Sequence, residues 1–143
     1  MNKLLSVLAL TSGLSFPSDF FLENWPRNTE SMIFKSLDDD FTKCLDSGDA
    51  KIGSMFAIIQ CEKMEYARVD RELNRVYKLA MDKTHGAVHR KLKHSERSWI
   101  LTIDRKCKAD NPPSMDDVSD QFMCLILETE IRTNTIVVDY KIK

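Results

Sequence analysis

Four thiols are the side chains best suited to chemistry here. Cys44, Cys61, Cys107 and Cys124 form an even set, and the spacing from Cys44 to Cys61 equals that from Cys107 to Cys124. A nucleophilic thiol needs its pKa lowered, usually by a Cys-x-x-Cys arrangement or a local histidine. Neither pattern accompanies these cysteines. A structural zinc site usually draws two of its ligands from positions two to four residues apart, and no two of these cysteines are that close. Crosslinking remains, in the even number expected of a disulfide framework formed in an oxidising compartment. Four cysteines allow three pairings.

Three histidines are the next candidates. His85 and His89, spaced i, i+4, could share a helix face as metal ligands, but Gly86 lies between them and no third ligand is evident. A solvated, lysine-rich turn is the reading we adopt. The run from His89 to His94, "HRKLKH", is a short basic patch that suits an acidic partner or an anionic glycan, or simply a solvated helix face. There is no nucleophile with a base, no pair of acids on a credible cleft and no phosphate-cradling loop. The chain therefore reads as a protein without catalytic residues, metal or cofactor.

The elements that hold these residues are helices. The chain has 143 residues, 43% hydrophobic and 30% charged, which describes one ordinary domain. With 21 basic and 22 acidic side chains the formal charge is −1, so no net field draws it to nucleic acid or to an anionic membrane. Four glycines and four prolines are few, and the composition favours helix. From Ala50 to about Lys83, Ile52, Phe56, Ile59, Tyr66, Val69, Leu73, Val76 and Ala80 recur at helical spacing. A second stripe runs through Val88, Leu92, Trp99 and Ile103, and Pro112-Pro113 stops it. Ser114 with Asp117 resembles a capping box opening a third helix, with the stripe Val118, Phe122, Leu125, Thr129 and Arg132 or Thr133. A hairpin of the second and third helices lets Cys107 meet Cys124. The segment before the first helix can fold back to bring Cys44 to Cys61. The expectation is an all-α bundle of three to four helices with two sequential disulfides.

Met1-Asn2-Lys3 followed by "LLSVLALTSGLSF" has the charge and length of a signal peptide, covering residues 1–15, and is too short to span a bilayer. The mature protein is expected in the bacterial periplasm or outside the cell, with no membrane insertion. Residues 16–43 carry Phe20, Phe21, Trp25, Ile33, Phe34 and Leu37, too apolar for a free tail. We expect them to pack on the bundle or on a partner. The helical domain is expected over 44–136. A tail follows over 137–143, where "TIVVDYKIK" has the β-branched character of a fraying helix end or a short strand.

"DRELNRVY" (Asp70 to Tyr77), "SERSW" (Ser95 to Trp99), Asp104 with Cys107, and Cys124 followed by Thr129 and Arg132 together resemble the pattern of the LprI-like family of small secreted proteins, named for a lysozyme inhibitor. The similarity covers roughly Cys44 to Ile136. Three departures are visible: the family's Gln of the Gln-Arg-x-Trp step is Glu96 here, its Arg four residues after the tryptophan is Ile103 with Arg105 displaced, and the Cys44 to Cys61 gap is longer than usual. The resemblance implies a small helical bundle with two internal disulfides in the cell envelope, and inhibition of lysozyme or a related peptidoglycan hydrolase.

The motif residues Asp70, Glu72, Leu73, Asn74, Tyr77, Trp99, Asp104 and Arg132 also have structural readings. Trp99, Leu73, Val76 and Tyr77 lie on buried stripes. Asp70 and Asn74, at i, i+4, suit a mutual hydrogen bond on one helix face or a tie to another helix. Arg132 has either an acid on the first helix, Asp70 or Glu72, or solvent as its partner, and the sequence does not choose. As an inhibitor the protein would obstruct a carboxylate-lined cleft. The loop from Lys108 to Ser114 and the His-rich turn are the candidate contacts. The alternative is an immunity or adaptor protein that binds another envelope protein through its aromatic N-terminal segment.

Overall fold

The computed structural model describes residues 32–143, with side chains from residue 39. The expected signal peptide and most of the aromatic segment lie outside the described residues. Five helices follow in order: α1 (Met32–Leu45), α2 (Gly48–Lys51), α3 (Met55–Lys83), α4 (Gly86–Lys106) and α5 (Met115–Tyr140). The all-α expectation holds, and no helix among the described residues is long and apolar enough to cross a membrane.

The long first helix starts at Met55 and not at Ala50. Gly53 has φ +88, a left-handed conformation that costs glycine little, and it separates the single turn of α2 from α3. Ile52 and Phe56, expected on the buried stripe, are consequently exposed at the mouth of this break. Val88 is also exposed, one turn before Leu92, the first buried residue of α4. Cys44 sits on a helix, α1, and not in an irregular segment.

Helices α3 and α5 run parallel, as their partners advance together. Ser119 meets Glu62, Phe122 meets Tyr66, Ile126 packs on Val69, and the backbone at Tyr140 and Lys141 meets Lys83. Helix α4 returns antiparallel to α5, with Cys107 at Cys124 and Glu96 at Arg132. The main core is Leu73, Val76, Ala80, Leu92 and Ile136, against which Tyr77, Trp99, Val137 and Tyr140 pack. Leu92, Val76 and Ile136 are essentially inaccessible, and each such burial stabilises by roughly 1.5–3 kcal/mol. Ile136 explains why the β-branched C-terminal run stays helical through Tyr140, since packing overrides local propensity. The strand alternative does not occur.

Both disulfides have the sequential pairing, Cys44–Cys61 and Cys107–Cys124, with Cα separations of 5.8 and 5.5 Å. Each closes a loop whose lost unfolded-state entropy corresponds to about 3 kcal/mol. Cys44–Cys61 ties α1 to α3 and Cys107–Cys124 ties the end of α4 to α5, so α1 and the α4–α5 hairpin are both held covalently.

Candidate functional site

The motif residues separate into a core group and a surface group. Leu73 is buried and Tyr77 and Trp99 are half-buried against the main core. Arg132 joins them from α5. Its Nε donates to Glu96 Oε2 at 2.8 Å and its Nη2 donates to Ser95 Oγ at 3.0 Å, with the side chains of both ion-pair partners 11% exposed. Burial pushes the Tyr77 phenol up from its ordinary pKa, and Glu96 adds to this while Arg97 and Arg132 oppose it. Tyr77, Glu96 and Arg132 therefore share one electrostatic neighbourhood across all three long helices.

The acids expected to meet Arg132 are already engaged. Asn74 Nδ2 donates to Asp70 Oδ2 at 3.1 Å and to its carbonyl at 2.8 Å, and Glu72 pairs with Arg75. Both clusters are local to α3, so Arg132 turns instead to α4. Asp104 is exposed on α4. With Asp70 it reinforces the upward shift that burial imposes on the Tyr66 phenol.

Another of the buried acids, Glu62, stands out by its contacts. Glu62 is 3% exposed, accepts from Ser119 Oγ through Oε1 at 2.6 Å, and leaves Oε2 without a hydrogen bond. Burial raises its pKa, the Ser119 hydrogen bond opposes this and nearby Asp120 adds to it. The signal was present in the spacing: Glu62 stands seven residues before Val69 and eleven before Leu73, on the buried stripe itself.

The two turns that frame α4 differ in charge and in how their polar groups are used. In the α4–α5 loop the Ser114 hydroxyl is committed to a capping box: it accepts from Asp117 N at 3.1 Å, while Ser114 N donates to Asp117 Oδ2 at 2.7 Å. These bonds hold the Asp117 carboxyl below the usual carboxylate range. Asp110, Asp116 and Asp120 are exposed around the same loop. A carboxylate-lined cleft would meet like charge here, which disfavours the Lys108–Ser114 loop as its contact.

The α3–α4 turn is built without a covalent tie. Thr84 Oγ1 donates to Ala80 O at 2.9 Å, and His89 Nδ1 lies 3.3 Å from both Met81 O and Thr84 O. Carbonyl oxygens only accept, so Nδ1 carries the proton and closes the end of α3. Half-buried His89 is thus a structural cap, which corrects the reading of a wholly solvated turn. No group of three or more metal-ligating side chains occurs among the described residues. Lys83 Nζ donates to Lys141 O at 2.7 Å, placing a cation at the negative end of α5.

No curated protein and no solved structure matches the chain. Residues 46–135, which take in α3, α4 and most of α5, match the family described as Lysozyme inhibitor LprI. That is well over half of the chain, and with the three-helix architecture and both disulfides in place, the chain belongs to the LprI family of lysozyme inhibitors.

Proposed function

We propose that this is an exported binding protein that inhibits lysozyme or a related peptidoglycan hydrolase by covering its substrate cleft, without chemistry of its own. The observation that carries this is the family match across α3, α4 and most of α5. All four cysteines are committed to disulfides, so none is a nucleophile, and the crosslinks suit an oxidising compartment.

The physics of such inhibition asks little beyond a rigid body of suitable charge. Lysozyme-type glycosidases work through two carboxyl groups in a cleft shaped for a glycan chain. A partner that keeps its fold on docking loses little ordering entropy, and crosslinks help to provide that preorganisation. The test is titration of the oxidised protein against lysozymes of different types, with cell-wall lysis as readout and a reduced, alkylated sample as control. Inhibition that disappears on reduction is the expected result. Undiminished lysis of every type in the presence of folded, oxidised protein would refute the reading.

A further inference from the structure

We propose that the outer face of α4 is the docking surface, and that it grips an acidic protein surface at the rim of the hydrolase cleft; this rests on the inhibitor reading above. Arg90, Lys93, Arg97, Leu101 and Arg105 follow one another at three- and four-residue spacing, on the side of α4 opposite Leu92, Glu96 and Ile103.

Three observations set this face apart from an ordinary solvated one. The first is the run of cations without ion pairs. Arg68 and Arg75 on α3, Arg132 on α5 and Lys106 at the end of α4 each pair with a glutamate, whereas all five cations of α4 before Lys106, namely Arg90, Lys91, Lys93, Arg97 and Arg105, are exposed and make no ion pair among the described residues. Asp104 is the single exposed acid of α4, because Glu96 is buried under Arg132.

The second is that the arrangement works against the helix that carries it. Like charges at i, i+4, such as Lys93 and Arg97, cost an isolated helix about 0.2–0.5 kcal/mol per pair. Helix α4 also has no acid in its first turn to oppose the dipole, and Arg90 and Lys91 follow soon after. Helix α3 has a like-charge spacing too, Arg71 to Arg75, but offsets it with the Glu65–Arg68 and Glu72–Arg75 pairs, which α4 lacks on its outer face.

The third is apolar surface inside the cationic strip. Leu101 is 63% exposed and Ile100 46% exposed. Apolar anchors within a polar rim, with arginine prominent, are the composition of a protein-binding patch. An acidic partner surface supplies the missing counter-charges.

The test compares wild type with Arg90→Glu/Arg97→Glu, and with Arg71→Glu/Lys78→Glu, which reverses two unpaired cations on the exposed side of α3. Circular dichroism confirms the fold of each. Binding and inhibition are measured against lysozymes that differ in net charge, at low and high salt. The α4 double reversal is expected to weaken binding on the order of 100-fold, with a reduced salt dependence, and the α3 reversal to leave it nearly unchanged. Wild-type inhibition that survives the α4 reversal, or is lost equally in the α3 reversal, overturns this surface and leaves the inhibitor reading intact. Absence of any lysozyme binding by wild type overturns both. Retention of wild type, but not the α4 variant, on purified peptidoglycan in that case would make the face a glycan contact and likewise overturn the proposal.

Discussion

Glu96 and Glu62 are both glutamates buried where helices meet, and the bundle satisfies them in different ways. Glu96 on α4 is met by the Arg132 guanidinium from α5 with Ser95 beside it. Glu62 on α3 has one hydroxyl, Ser119, on one oxygen and nothing on the other, with Asp120 close by. The first arrangement is an ion pair between helices that ties α4 to α5. The second is a carboxyl whose charge is poorly supported, so its protonation and the fold are coupled. The contrast shows that an ion pair guards the one helix with no parallel partner, while a less demanding contact suffices where α3 and α5 already pack along their length.

Removing the guanidinium should do the most damage. Arg132→Met leaves Glu96 buried and unpaired, and is expected to lower unfolding free energy by about 3–5 kcal/mol in denaturant titrations. Adding Glu96→Met should recover most of that loss, because both charges then disappear together; a double variant as unstable as the single one would break the comparison. Ser119→Ala is expected to cost about 1–3 kcal/mol at pH 7, since it strips the one hydrogen bond from Glu62.

The pH response sharpens the contrast further. Burial raises the Glu62 pKa in the folded protein, so over the interval between its unfolded and folded values the native state binds more protons than the unfolded chain. Stability from this group therefore falls as pH rises and is regained as pH drops. Wild type should gain on Glu62→Gln between pH 7 and pH 4, by at most about 1.4 kcal/mol per pH unit. Parallel stability curves for the two proteins would show that Glu62 does not titrate differently on folding. The smallest effect is expected on the outside of α4. Arg97→Glu should change stability by no more than about 0.5 kcal/mol, since this cation has no ion pair to lose.

Much of this architecture was legible in the sequence, and the failures have physical causes. Helical period located the three long helices, and Ser114 with Asp117 marked the start of α5 because a capping box is a local device. The disulfide pairing followed once α4 and α5 were read as a hairpin. Ile52, Phe56 and Val88 were misread because periodicity reports which side of a helix is apolar, and not how far along it a neighbour extends. The partner of Arg132 was not legible either. Acids lie on every helix, and only the packing decides which one a long side chain can reach. Apolar periodicity does not flag Glu62, although an acid on a buried stripe is the more informative residue.

The linear order of the crosslinks bears on how the protein matures. Each cysteine is bonded to the next one along the chain, so the two covalent loops are neither nested nor interleaved. For a chain that meets an oxidant from its N-terminus onward, Cys61 is the first thiol offered to Cys44, and the first pair is consumed before Cys107 arrives. An oxidase joining consecutive thiols makes the native bonds directly, with no wrong disulfide to be attacked and exchanged. On that route a thiol oxidant is enough for the native pairing, and the order of the crosslinks itself creates no need for a disulfide isomerase.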